Sequence, residues 1–330
     1  MMKMLVPLLA VIALIIIALA GVEAVGMQVI FGIVIPYVSF FIFTVGMVIR
    51  VVDWGKSPVP FRITTTCGQQ KSLSFIKQNK IENPSTCFQT FIRMAIEVLF
   101  FRSLFRNLKT EINDGKVVYG SEKWLWLFGL VFHYSFLAVF IRHIRFFVVE
   151  VPLPIEILEA LDSFFQVGVP LVYISGITLL AGVTFLFIRR VVLPQVRYIS
   201  LANDYFPLFL IMAVAITGII MRYFTKVDVV AVKNLTMGLV TFSPTIPDGI
   251  GSIFYLHFFL VCVLFAYFPF SKLVHMGGVF LSPTRNLAND SRMERHINPW
   301  NYPVHVHTYE EYENEFRDKM KKAGLPVEKE

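Results

Sequence analysis

Six stretches of this chain are each long, apolar and almost free of charge, and no other feature constrains its fold so tightly. They run at approximately 5–22, 27–51, 124–147, 163–188, 204–224 and 251–275. A helix needs about 20 apolar residues to cross a hydrocarbon core roughly 30 Å thick. Lipid supplies no hydrogen bonds to a backbone, so only helices and closed barrels span it. The ten-residue alternation of a barrel strand is missing here. The expectation is an all-α integral membrane protein with six transmembrane helices. Composition agrees: 56% of residues are hydrophobic and 16% charged, against about 25% charged in soluble domains. That sets aside disordered, collagenous, disulfide-stapled and nucleic-acid-binding classes. The three cysteines, Cys67, Cys87 and Cys262, form no CxxC, CxxCH or ferredoxin-like run. By itself the chain can build neither an iron–sulfur cluster nor a c-type haem attachment.

Lys and Arg are distributed unevenly, and the imbalance gives a sidedness. The 53–123 loop carries 11, the 189–202 loop 3 and the tail from 276 carries 8, whereas 148–162 has none and 225–250 has only Lys226 and Lys233. The positive-inside rule then puts both termini and the long loop in the cytoplasm, in a multi-pass protein of the inner membrane. The first span also has signal-peptide features, Lys3 ahead of an apolar run and small residues near Ala20–Ala24; it is read as retained. The chain divides into two N-terminal spans (1–52), a cytoplasmic loop (53–123), a four-helix core (124–275) and a cytoplasmic tail (276–330). Within the loop, Phe88, Phe91, Ile92, Ala95, Ile96 and Leu99 recur at helical spacing between Arg93, Arg102 and Arg106. That predicts an interfacial amphipathic helix. In the tail, YEEYENEFRDKMKKAG (309–324) runs from acidic to basic, as suits a solvated helix or a docking strap.

Of seven histidines, His296, His305 and His307 are in the polar tail. His133 and His143 fall in the third span, His257 and His275 in or at the end of the sixth. Ionisable residues inside a bilayer are costly and mark function, and neutral imidazole is a ligand of metals and haem iron. The third and sixth spans run antiparallel, so each offers one histidine per membrane level. His133 pairs with His275 on the cytoplasmic side, and His143 with His257 on the outer side. The spacings, ten residues and eighteen, are roughly 15 Å and 27 Å on an ideal helix; tilt and a kink at Pro269 reconcile them. Many of the 33 Phe lie nearby, including Phe132, Phe136, Phe140, Phe254, Phe258 and Phe259. Two b haems, each held by two histidine iron ligands, are expected.

The His133/His143 and His257/His275 spacings resemble the ligand pattern of the respiratory nitrate reductase gamma-subunit (NarI-like) cytochrome b family. Three further stretches, TTTCGQQKSLSFIKQNKIENPS (64–85), EVLFFRSLFRN (97–107) and NDSRMERHINPWNYPVHVHTYEEYENEFRDKM (289–320), resemble its DsrM branch, the membrane cytochromes of DsrMKJOP complexes in dissimilatory sulfur metabolism. The resemblance implies a NarI-like dihaem bundle with His133 and His275 on the inner haem and His143 and His257 on the outer. It also implies menaquinol or menaquinone exchange at the outer haem, a cytoplasmic iron–sulfur partner resembling DsrK, and the J, O and P subunits. The extra N-terminal span and the long cytoplasmic pieces depart from the basic five-helix plan.

Arg142 and Arg145 flank His143, and Arg222 ends the fifth span at the same level, so all three suit haem propionates or outer headgroups. Glu150, Glu156, Glu159 and Asp162 can take quinol protons near the outer haem, and a solvated acidic loop explains them as simply. Arg189, Arg190 and Lys272 fit membrane anchoring, and Trp124 and Trp126 an interfacial belt. Cys67 reads as packed, or as a partner contact. Against the electron-transfer reading stand a transporter or channel using the histidines as a proton relay, and a haem-free membrane anchor; both predict a colourless protein.

Overall fold

The computed structural model describes residues 2–57, 68–164, 171–282, 285–290, 292, 303 and 305–329. Cys67 and His296 lie outside the described residues. Among the described residues, six helical segments are long and apolar enough to cross a membrane: Met2–Glu23, Ile30–Lys56, Lys123–Phe146, Ile174–Val192, Ala202–Thr225 and Ser252–Phe270. The protein is a multi-pass helical bundle of this kind.

In chain order, α1 is Met2–Glu23, and α2 is Ile35–Lys56, entered through a π turn at Ile30–Val34. The segment between α2 and the third span contains α3 (Cys87–Phe100), α4 (Arg102–Phe105) and an antiparallel hairpin of β1 (Leu108–Asn113) and β2 (Lys116–Ser121). The third span is α5 (Lys123–His143), extended by a 3-10 turn to Phe146. The short α6 (Leu153–Asp162) leads to α7 (Ile174–Val192), α8 (Pro194–Ile199) and α9 (Ala202–Ile220), the last prolonged by a π turn, Met221–Thr225. Then come α10 (Val229–Val240), α11 (Ser252–Tyr267), α12 (His275–Leu281) and α13 (Tyr309–Lys322).

Packing follows a simple order. The α5 helix lies on α7, α7 on α9, α9 on both α1 and α11, and α11 on α2. Leu210, Ile211, Leu235, Tyr255, Leu256 and Leu260 are fully or nearly buried at the centre, with Val11, Ala18 and Val22 of α1 in the same cluster. The first helix is therefore part of the core. One end of the bundle carries the long loop and the tail, here the tail end; α6 and α10 are at the far end.

Two sequence-based boundaries need correction. The fourth span begins at Ile174, not 163, because Leu153–Asp162 forms a separate helix opened by Pro152 and Pro154. The sixth stops at Phe270, not 275. There Pro269 ends the regular helix in a 3-10 turn, Ser271 is extended (φ −116°, ψ 175°), and a second 3-10 turn, Lys272–Val274, leads into α12. The break is held by α2: Arg50 Nε donates to the Pro269 carbonyl at 3.1 Å, and a Cβ on Gly46 would lie 2.9 Å from Pro269. The amphipathic helix is present as α3, capped by Thr86, whose hydroxyl accepts from the Gln89 N–H. The hairpin was unforeseen, although its turn is marked by Asp114 and Gly115, both at positive φ (50° and 74°) as a tight two-residue connection requires.

The loop and the tail are stitched together at the tail end. Asn83, 1% exposed, donates through Nδ2 to the Gly68 carbonyl at 3.0 Å and accepts from Asn289 Nδ2 at 2.6 Å. The Asn289 N–H also donates to the Pro84 carbonyl. Glu82 accepts from Arg102 and pairs with Arg106, both at 2.6 Å, and Arg285 pairs with Glu97. Burial pushes the Glu82 carboxyl up, but the two guanidiniums outweigh it and leave its pKa below the ordinary 4.5. A carboxylate with a depressed folded-state pKa stabilises above its unfolded value and loses that contribution as pH falls through the folded one. Glu82→Gln is therefore expected to lower the thermal midpoint at neutral pH and to flatten the loss of stability below about pH 4.5. A variant with the wild-type acid limb in a pH series of melts would show that the cluster does not hold this unit.

Candidate functional site

His133, His143, His257 and His275 meet in two pairs across a line where α5 has little direct packing against α11. At the tail end the His133 and His275 ring centroids are 5.9 Å apart with planes at 85°. At the far end His143 and His257 are 6.5 Å apart with planes at 22°. His133 and His143 share one stripe of α5 with Phe136, Leu137 and Phe140, all exposed on the bundle. The opposite stripe, with Gly129, Ser135 and Arg142, is buried, and Ser135 hydrogen-bonds Thr178 of α7 at 2.7 Å.

Each ring is anchored through Nδ1. His133 Nδ1 is 2.7 Å from the Gly129 carbonyl oxygen and His143 Nδ1 2.7 Å from that of Val139, each one helical turn back. His275 Nδ1 is 2.8 Å from the Lys272 carbonyl in the 3-10 turn. A carbonyl only accepts, so these three rings carry their proton on Nδ1. His257 Nδ1 lies 2.9 Å from Thr217 Oγ1 on α9. That hydroxyl already donates to the Ala213 and Val214 carbonyls, so it accepts from His257, which is the same tautomer. Gly218 makes room for the ring, since a Cβ there would sit 3.3 Å from His257 Cε1. Four imidazoles thus keep the Nε2 lone pair unspent, the arrangement of metal-ligating histidines.

Beside the far pair is a charged cluster. Arg142 Nε lies 2.8 Å from Asp162 Oδ2, with only 10% and 7% of the two side chains exposed. Ser175 joins them: Arg142 donates to its Oγ at 3.0 Å, while its N–H and hydroxyl donate to Asp162 at 2.7 and 2.6 Å. The Tyr173 ring is sandwiched between the Arg142 and Arg222 guanidiniums, 3.7 and 4.0 Å from its centroid. Arg222 also donates to the Leu171 carbonyl. The Tyr173 hydroxyl and Arg145 both bond Glu159 Oε1. Burial first, and the Glu159 contact second, hold the Tyr173 phenol above its ordinary pKa of 10.0.

Residues 93–293, well over half the chain and including all four histidines, match the family model described as nitrate reductase gamma subunit. The chain belongs to that family. It is 47% identical over 279 residues to an Hdr-like menaquinol oxidoreductase cytochrome b-like subunit of Archaeoglobus fulgidus, covering 82% of this chain and 83% of the relative. A protein of the same description from Archaeoglobus profundus is 43% identical over 81% of both chains. The respiratory nitrate reductase 1 gamma chain of Escherichia coli is 29% identical over 45% of this chain and 69% of its own.

For the haem iron such a gamma-family protein would hold, the donor set fits. Each pair brings two imidazoles with unspent Nε2 lone pairs together, their centroids 5.9 and 6.5 Å apart, and these four residues would hold the iron. Of the three arginines expected near propionates, the structure commits Arg142 to Asp162, Arg145 to Glu159 and Arg222 to Leu171 and Tyr173. At the tail end Arg189 pairs with Glu122 at 3.2 Å and Lys272 with Asp204 at 2.6 Å. Trp124 is exposed, and Trp126 donates to the Phe100 carbonyl.

The sequence reading missed Thr217, Gly218, Tyr173, Ser175 and Phe101. Phe101 sits at positive φ (49°) between α3 and α4 and sets its ring edge-on to His133 at 4.9 Å. A Thr-Gly step inside an otherwise apolar span was the available signal for the first two. The tail histidines His305 and His307 lie with Glu311 in an exposed group whose ligand atoms are within 4.8 Å.

Asp162→Asn leaves a buried guanidinium unpaired and is expected to cost about 3–5 kcal/mol. Arg142→Met with Asp162→Leu should recover most of it. Thermal unfolding in detergent checks both, and an unaffected single variant would contradict the pairing.

Proposed function

We propose that this chain is a dihaem b cytochrome subunit, in which His133 and His275 would hold one haem iron and His143 and His257 the other. The observation that carries the reading is the shared tautomer: four rings fixed through Nδ1, paired at two levels, each with Nε2 unspent. The haem irons supply one-electron chemistry. The residues of the chain hold them at two depths, fix the ring orientations and exclude water with apolar side chains such as Phe132 and Phe101, which touch His133.

Electrons enter from menaquinol at the far end and leave at the tail end to iron–sulfur subunits. The names of the Archaeoglobus relatives support a menaquinol reaction. The chain has no cluster motif of its own, so an iron–sulfur acceptor belongs to another subunit. The Lys and Arg imbalance supports a tail end in the cytoplasm, with both termini there and the far end outside the inner membrane. The stretches 64–85, 97–107 and 289–320 support a DsrMKJOP-type complex of sulfur metabolism, with a DsrK-like partner and J, O and P subunits. The division into 1–52, 53–123, 124–275 and 276–330 separates span pair, partner-facing loop, haem core and tail.

A dithionite-reduced minus oxidised spectrum with a pyridine haemochrome assay tests this, with about two b haems per chain expected. His143→Ala or His257→Ala should each remove one haem and leave the other. Thr217→Val, which removes only the partner of His257 Nδ1, should weaken haem retention at the far pair about 10–100-fold and spare the tail-end pair. A folded, haem-free wild-type chain would overturn the reading.

A further inference from the structure

One cavity at the far end is unaccounted for by the histidine pairs. It is an open-sided cleft of about 450 Å³ between α6 and the end of the third span, within the range of pockets for small organic ligands. Val151, Ala160 and Leu171 give it apolar walls, and Arg145, Glu156 and Glu159 give it polar ones. Arg145 is two residues beyond His143 in the chain, so the cavity lies at the same end of the bundle as the far histidine pair. A flat apolar ring bearing hydroxyl groups matches that lining, and membrane quinols are of this class.

Glu159 is the most elaborated group in it. Its side chain is 22% exposed, and its Oε1 receives both Arg145 and the Tyr173 hydroxyl. Oε2 has no hydrogen-bond partner among the described residues. The carboxylate is therefore oriented by a cation and a phenol while one acceptor oxygen is unspent. The charged groups around it come from every neighbouring element: Arg145 from the end of the third span, Glu156 from α6 itself, Tyr173 from the start of α7. Arg142 and Arg222 stack on the Tyr173 ring, and Asp162 neutralises Arg142.

We propose that Glu159 is the proton acceptor for hydroquinone oxidation in this cavity, with Arg145 and Tyr173 as its positioning residues. This rests on the quinol-oxidising reading above and deepens it. Oxidation of a hydroquinone to a quinone breaks two O–H bonds and releases two electrons and two protons. The oxidant is a one-electron acceptor of the ferric haem class, which His143 and His257 would hold and which would take the electrons one at a time. The first proton goes to Glu159 Oε2 and from there to water at the open side of the cavity, and the second follows once Oε2 is ionised again.

The test uses the haem-loaded full chain in membranes. Three readouts are taken: the dithionite-reduced spectrum, the pH profile of haem reduction by a short-chain naphthohydroquinone, and fluorescence titration with a hydroxyquinoline N-oxide as quinone-site probe. Glu159→Gln is expected to keep the dithionite spectrum and bind the probe within about threefold of wild type. It should lose about 100-fold or more in quinol-driven reduction, the range for a removed general base, and with it the acid limb of the pH profile. Glu159→Asp should restore part of the rate and that limb. A Glu159→Gln chain with a native rate and pH profile overturns the proposal. So does one whose rate loss is matched by loss of probe binding with the acid limb intact, since that marks a structural role. A wild-type chain with haems that dithionite reduces and quinol does not defeats the underlying quinol reading instead.

Discussion

An imidazole inside a membrane has two nitrogens to satisfy and no water to satisfy them. In this bundle the N–H is disposed of locally. Gly129, Val139 and Lys272 lend carbonyls that helical or 3-10 geometry already places under the ring, and Thr217 lends an oxygen whose own proton is committed to its helix. Every other feature of the site depends on this. With Nδ1 spent, the ring cannot rotate without orphaning a donor in apolar surroundings, and Nε2 is left as the only outlet for the lone pair. The pairing of α5 with α11 then follows from ring direction, since the helices themselves pack on other partners.

The pairing by level was legible in the sequence because it needed only the direction of each span and the rise of a helix. The detail behind it was not. Counting eighteen residues at about 100° each treats His257 and His275 as sharing one helix. In the structure the helix stops at Pro269, and His275 returns to His133 through an extended Ser271 and a 3-10 turn. A proline in a span announces that something changes, but the new direction is set by what packs there, in this case Arg50 and Gly46 of α2.

The spans were legible to within a few residues because hydropathy reports the surrounding medium. The fourth was misplaced by eleven residues at its start, since α6 is apolar enough to be merged with α7 and only its prolines separate them. The arginines at the far end were found as residues and missed as a network. Sequence shows Arg142 beside His143, but the buried partner Asp162 and the aromatic sandwich of Tyr173 depend on the α6–α7 return, which no spacing encodes. The fold of the loop between the second and third spans rests on contacts to residues about two hundred positions away.

Those contacts bear on how the protein is made. Asn83 and Asn289 are separated by 206 residues, and between them lie four of the six spans. A chain emerging N-terminus first completes α3, α4 and the hairpin early. The clasp that fixes them cannot close until the last span has been threaded into the bilayer and the chain has returned to the same side. Its closure is therefore a molecular record that insertion has finished. A translation product stopped before residue 285 would present the loop face unclasped, in a form distinguishable from the mature subunit by any factor that recognises that face.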